Sequence, residues 1–146
     1  DITVTGGLTL DDDKKIIKKV PVAKISGSDT VGGMTYTKLK NNITTSGEIS
    51  ITSGGKAVKD SDIVKTGDIM TITINDKTIT YKLSVLGDLT GDGIVKIADV
   101  SKLYSNLKGK ELTDEYIAAG DVVSDGTIKI ADVSKLYNYL KGKGSL

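Results

Sequence analysis

Asp88, Thr90, Asp92 and Asp99 stand at positions 1, 3, 5 and 12 of the segment DLTGDGIVKIAD, with Gly93 at position 6. This spacing suits a hard cation such as calcium, which takes about six to eight oxygen ligands. A twelve-residue loop wraps them round one point only if the chain turns sharply at the glycine. The predicted ligands are the side chains of Asp88, Thr90, Asp92 and Asp99 and the carbonyl of Ile94. A second segment, DVVSDGTIKIAD from Asp121, keeps Asp121, Asp125, Gly126, the carbonyl of Thr127 and Asp132, but has Val123 at position 3. Valine brings no side-chain oxygen, so two Ca2+ sites are expected, the second weaker. Position 9 is Lys96 in one loop and Lys129 in the other, a repelling charge unless it points outward. The plainer reading makes the Asp-Gly pairs turn residues and Asp99 and Asp132 helix caps. At position 12 capping and ligation are compatible.

The elements that position these groups come as an internal repeat. KIADVSKLYSNLKGK (Lys96 to Lys110) and KIADVSKLYNYLKGK (Lys129 to Lys143) differ at only two positions, Ser105/Asn138 and Asn106/Tyr139. Each copy predicts an amphipathic helix, with Val100, Leu103 and Leu107 answered by Val133, Leu136 and Leu140 on one apolar stripe. Gly109 and Gly142, each between lysines, suit left-handed helix ends. Thr113, followed by Asp114 and Glu115, predicts a short connecting helix.

Upstream of residue 86 the composition shifts to Thr, Ile, Val and Gly. Alternation over Ile69 to Asp76 and Lys77 to Val85 predicts a hairpin turning at Asn75-Asp76. Further strands are expected at Ile16 to Ile25, interrupted by Pro21, and at Glu48 to Thr52. A short helix is expected over Thr35 to Asn42, capped by Thr30 or Asp29. Residues 1–13, with Asp11 to Asp13 beside Lys14 and Lys15, read as a linker or a neighbour's strand. The expected fold class is α+β: a small sheet-rich module over residues 1–86, then an all-α segment over residues 87–146 with two calcium loop–helix repeats and a linker helix. An immunoglobulin-like fold for the first part is argued against mildly by the helix at Thr35.

Composition removes several function classes. No Cys or His is present, which excludes disulfides, thiol nucleophiles, Ser-His-Asp triads and ordinary zinc sites. Twenty basic residues, all Lys, face nineteen acidic ones, which is not the footprint of a nucleic-acid binder. Nothing apolar approaches the roughly 18 residues needed to span a bilayer, so no membrane insertion is expected. The opening DITVTGGLTL lacks the regions of a signal peptide and reads as the interior of a longer chain. A hydrolase built on paired carboxylates is disfavoured because every acidic residue with clear spacing is assigned to calcium. A calcium sensor would expose a Met-rich groove, and Met34 and Met70 both lie outside the repeats; a calcium-stabilised adhesion module is the other alternative.

Both loops end in Asp rather than the Glu of a standard EF-hand, and a strand rather than a helix precedes loop 1. With the linker helix between them, the two loop–helix units, Gly87 to Lys143, resemble the dockerin family, type I-like with two F-hand calcium repeats. The resemblance implies a non-enzymatic module that binds a cohesin domain of a scaffoldin or cell-surface protein, in cellulosome-like complexes outside the cell or at a bacterial surface. It implies partner contacts just before the final ligand and five and six places after it: Ile97, Ala98, Tyr104 and Ser105, and in the second copy Ile130, Ala131, Tyr137 and Asn138. The best-known pattern has hydroxyl residues in the first pair and Lys-Arg in the second; this sequence departs from both. An apolar pair beside a Tyr is interface-hot-spot chemistry, and core packing is the plain alternative. Near-identical copies imply two binding orientations on one cohesin, and a monomer otherwise. The strand ending at Val85 leaves only Leu86 and Gly87 before Asp88, so the first part should pack rigidly on the second, as in the X modules that precede some dockerins.

Overall fold

The computed structural model describes residues 2–26 and 29–146. Its centre is a hairpin of β9 (Ile69–Ile74) and β10 (Lys77–Val85), paired antiparallel from Ile74↔Lys77 to Ile69↔Lys82. Asn75 and Asp76 turn it with φ of 50° and 65°, the left-handed pair that matches strand twist. On one side β9 pairs with β7 (Glu48–Ser53), which pairs with β8 (Lys56–Ala57). On the other, β10 runs parallel to β3 (Ile16–Val20), and β3 pairs with β2 (Thr9–Asp11). The result is a six-stranded sheet in the order β2-β3-β10-β9-β7-β8. A bulge at Lys19 (φ 65°) shifts the β3–β10 register, so that Ile17 faces Leu83 while Val20 faces Val85. All four of those side chains are fully buried.

Two smaller ribbons complete the strand set among the described residues: β1 (Thr3–Val4) with β6 (Ile43–Thr44), and β4 (Ala23–Ser26) with β5 (Asp29–Gly32). Helix α1 (Tyr36–Asn41) lies between β5 and β6 and buries Tyr36 and Leu39. Its cap is Thr35, whose hydroxyl accepts the Lys38 N–H at 3.3 Å. Asp29 and Thr30, the caps expected from sequence, lie in β5 instead. Residues 3–4 and 9–11, expected to be linker or a neighbour's strand, are strands of this fold's own sheets.

Helices α2 (Ile97–Leu107), α3 (Asp114–Gly120) and α4 (Ile130–Leu140) follow. Gly109 and Gly142, after the two repeat helices, have the expected positive φ. The small sheet module followed by an all-α segment is corrected here. The sheet-rich region is large, and the carboxyl-terminal helices are short. Between them lie loops whose left-handed residues cannot continue a helix: Gly91 and Gly93 (φ 79° and 80°), Ser124 and Gly126 (φ 64° and 88°). Loop 1 even extends the β structure. Ala23 of β4 bridges Ile94 in parallel, with Ala23 N–H donating to Gly93 O at 3.3 Å and Val95 N–H to Ala23 O at 2.9 Å.

One hydrophobic core runs through all of this, from Ile17, Val20, Leu83 and Val85 on the sheet to Leu89, Leu103, Val122 and Leu136 beyond it. Leu103 and Leu136, equivalent in the repeats, are both fully buried, each stabilising by about 1.5–3 kcal/mol. Helix α3 packs on β3 and β10. Ser84 Oγ donates to Glu115 O at 2.7 Å, Gly87 N–H donates to Ala119 O at 2.8 Å, and Lys82 pairs with the buried Glu115 at 3.6 Å. Among the described residues no helix is long and apolar enough to cross a membrane.

Candidate metal centres

β10 hands the chain directly to loop 1. Asp88 is completely buried, and its carboxylate gathers main-chain donors: Gly91 and Asp92 N–H on Oδ1 (3.0 and 3.1 Å), Gly93 N–H on Oδ2 (2.8 Å). A fourth donor comes from outside the loop, the N–H of Thr66, at 3.0 Å from Oδ2. Asp99, also fully buried, opens α2: its Oδ2 accepts the Lys96 N–H at 2.6 Å, and its Oδ1 accepts both the N–H (2.8 Å) and the hydroxyl (2.9 Å) of Thr90. Capping and site-building are therefore carried by one carboxylate. The Ala23 ladder engages the groups flanking Ile94, which turns the Ile94 peptide groups away from β4; the Ile94 N–H donates to Asp92 Oδ1 at 3.0 Å.

Oxygens of Asp88, Asp92 and Asp99 lie within 4.8 Å of one another. Burial is the main cause that pushes Asp88 up to about 6, with the charges of Asp99 and Asp92 adding to it against the pull of the Thr66 and Gly93 N–H groups. Burial also raises Asp99. Asp92 is partly buried, which acts upward, yet it is held below the ordinary carboxylate range by the Ile94 N–H and by Lys96, whose ammonium sits 3.0 Å away. The position-9 lysine therefore folds back on the position-5 carboxylate. Lys129 does the same to Asp125 at 3.2 Å.

Loop 2 brings Asp121, Asp125 and Asp132 within the same 4.8 Å of one another. Asp132 is buried and accepts the Lys129 N–H at 2.7 Å and the Val123 N–H at 3.0 Å, the latter replacing Thr90 N–H. No hydroxyl accompanies it, because Val123 is half-exposed and apolar. Asp121 accepts N–H groups from Asp125 (3.2 Å) and Gly126 (2.9 Å), all from within its own loop. Thr127 N–H donates to Asp125 Oδ1 at 3.1 Å. Asp125, exposed, is held below the usual range by the Thr127 N–H and Lys129.

The two loops differ most in what lies behind them. A side chain on Gly91 would meet Tyr116 Oη at 2.9 Å and Thr66 O at 3.0 Å, and one on Gly93 would meet Ile63 Cδ1 and Val64 O at 3.0 and 3.1 Å. Gly126 has open space around it, and position 4 of loop 2 is an exposed Ser, Ser124, in the same left-handed conformation. The sequence expectation missed Thr66, since a main-chain donor far along the chain leaves no side-chain signature. It also missed the inward pairing of Lys96 and Lys129, for which the i,i+4 spacing to Asp92 and Asp125 was the available signal.

The residues expected at a partner surface lie on α2 and α4. Ile97 and Ile130 are each 61% exposed, and Tyr104 and Tyr137 are 45% and 41% exposed. Ala98, Ala131 and Asn138 are exposed; Ser105 is half-buried, its hydroxyl donating to Ser101 O at 3.0 Å. Lys108 lies over the Tyr104 ring and Lys141 over that of Tyr137, at 5.1 and 5.3 Å.

Paired acidic loops, each closing on the first turn of a helix and related by a near-identical repeat, define a calcium-type loop–helix module. Residues 86–141 match the family model described as Dockerin type I domain, and this part of the chain is a dockerin domain. Comparison with curated proteins and with solved structures gives no match. Dockerin domains are calcium-dependent interaction modules, not catalysts; they bind cohesin domains and occur in extracellular cellulosome components. The residues fit that ion. The donors are all hard oxygens, and three crowded carboxylates, two of them buried in loop 1, need a positive charge or a proton to coexist.

Proposed function

We propose that this chain is a cohesin-capturing module with two calcium sites and two interchangeable binding faces. Site 1 takes Asp88, Thr90, Asp92, Asp99 and the carbonyl of Ile94. Site 2 takes Asp121, Asp125, Asp132 and the carbonyl of Thr127, and binds more weakly because Val123 withholds a ligand. Bound calcium neutralises the carboxylates and ties each loop to the start of its helix, adding stability to a small core. The partner faces are Ile97, Ala98, Tyr104 and Ser105 on α2 and Ile130, Ala131, Tyr137 and Asn138 on α4. Residues 1–86 form an X-module-like unit that buttresses the dockerin, and the whole acts as a monomer outside the cell, joined to a scaffoldin or cell-surface cohesin in polysaccharide-degrading assemblies.

The observation that carries this reading is the matched exposure of Ile97 with Ile130 and of Tyr104 with Tyr137, large apolar groups left in water on a small domain. The test is binding to a panel of cohesin domains, with calcium and after chelation. Ile97→Asp with Ala98→Asp should weaken binding about twofold, the statistical weight of one lost orientation. The same change at Ile130 and Ala131 should do likewise, and only the quadruple variant should fail. Loss of binding from either single-copy variant removes the two-face proposal.

A further inference from the structure

Loop 1 rests on a turn of the sheet-rich region that loop 2 lacks. The segment from Val64 to Asp68 is pinned on several sides. Asp68, buried, accepts the Tyr36 hydroxyl and, at 2.9 Å, the Lys65 N–H on the same oxygen. Leu83 N–H donates to Asp68 O, and Gly67 N–H to Leu83 O, each at 2.9 Å. The Thr66 hydroxyl accepts the Val85 N–H at 2.9 Å. What this turn presents outward is the Thr66 N–H, aimed at Asp88, and the carbonyls of Val64 and Thr66, pressed against Gly93 and Gly91.

We propose that this turn is a positioning element for the first metal loop, with Asp68 the side chain that sets it, so that site 1 is held in metal-ready shape and fills at lower calcium than site 2. The inference rests on the calcium reading of loop 1 and adds to it a residue outside the dockerin repeat. A flexible acidic loop must be ordered as it binds, and its carboxylates must be brought together against their mutual repulsion. In loop 1 the position-1 carboxylate is already oriented by four N–H groups, one supplied by a rigid neighbour. In loop 2 the donors to Asp121 come from the loop alone. Asp68 touches no proposed ligand, and its effect passes through the main chain of Thr66.

The test uses the full chain, labelled with nitrogen-15 and titrated with calcium chloride. The Gly93 and Gly126 amides each donate to the position-1 carboxylate of their own loop, at 2.8 and 2.9 Å, and so report the two sites separately. In the unaltered chain Gly93 should respond at lower calcium than Gly126. Asp68→Ala should raise the calcium midpoint at Gly93 roughly tenfold, as loss of an outer-shell partner does, and leave Gly126 within about twofold of its starting value. Asp68→Asn, which keeps an acceptor oxygen for both donors, should restore most of the affinity. Ile72→Val, a buried change in the same sheet, should lower thermal stability without moving the Gly93 midpoint. If Asp68→Ala does not fold, Tyr36→Phe replaces it, with a smaller shift at Gly93 alone. Equal shifts at both glycines, no shift at Gly93, or a shift produced equally by Ile72→Val overturns the inference and leaves the calcium reading intact. A Gly93 amide that ignores calcium in the unaltered chain overturns the calcium reading, and this inference with it.

Discussion

Gly93 and Gly126 occupy position 6 of their loops with nearly the same φ, 80° and 88°, yet their surroundings differ. Replacing either with alanine carries the left-handed penalty of about 1–2 kcal/mol. Part of it, about 0.4–1 kcal/mol, is offset by the lower entropy of the unfolded alanine chain. These contributions cancel when the two variants are compared. What remains is contact. The new methyl group at residue 93 meets Ile63 Cδ1 at 3.0 Å, Val64 O at 3.1 Å and Lys65 Cγ at 3.2 Å, whereas at residue 126 it meets nothing within 4 Å. The isoleucine tip and the lysine side chain can yield by a few tenths of an ångström. The carbonyl belongs to the pinned turn and yields less, so the cost lies in the lower part of the overpacking range, about 1–2 kcal/mol. For a chain of this size that lowers the unfolding midpoint by a further ~2–8 °C. Urea and thermal unfolding of both variants in one calcium-free buffer, followed by circular dichroism, measures the difference. Losses equal within about 0.5 kcal/mol, the usual scatter of a neutral surface change, refute the claim that the sheet-rich region bears on loop 1.

Two further outcomes are expected. Val123→Asp supplies the missing position-3 carboxylate and should tighten calcium binding at site 2 on the order of tenfold, the kind of change that ligand charge count produces; calorimetry showing no change would mean the site is completed by another group. The pH response should reverse sign with metal. Asp88 is raised from 3.8 to about 6 in the folded chain, so its contribution to metal-free stability is full below its unfolded value and is lost as pH rises through about 6. With calcium bound the proton competes with the ion, and affinity should fall as pH drops below about 6. Thermal midpoints from pH 4 to 8, with and without calcium and against Asp88→Asn, check this; identical pH profiles for Asp88→Asn and the unaltered chain would sink it.

The hairpin at Asn75-Asp76, helices α2 to α4 and both acidic triads were legible because each is written in local spacing: alternation for strands, a heptad-like stripe for helices, fixed intervals for ligands. The strands β1 and β2 were not, since two or three residues carry too little pattern and Asp11 to Asp13 suggested a solvated run. The extent of the sheet was missed for a related reason. β3 finds β10 in parallel and β4 finds Ile94 across about half of the chain, and pairing between distant segments has no signature in either one. Asp29 and Thr30 have the right chemistry for a cap, but the chain spends them in β5 and uses Thr35, three residues before the Lys38 N–H it receives. Reading the carboxyl-terminal part as all helix overlooked that twelve-residue loops around Gly93 and Gly126 must be irregular to do what their aspartates require. Thr66 shows the limit most plainly: its contribution to the site is a peptide N–H, which every residue but proline has.

The bridge between Ala23 and the groups flanking Ile94 has a kinetic meaning. An early ribbon strand closes on the first metal loop, 71 residues further along, so this contact joins segments made at very different moments of synthesis. Closure of so wide a chain loop is entropically slow, and the Ala23 edge of β4, though paired with β5 on its other side, must wait for its second partner until residue 95 has emerged. In the complete chain, ion capture by the first loop draws residues 88–99 together and orders the partner on which Ala23 closes, so refolding in the presence of the metal should proceed faster than in its absence.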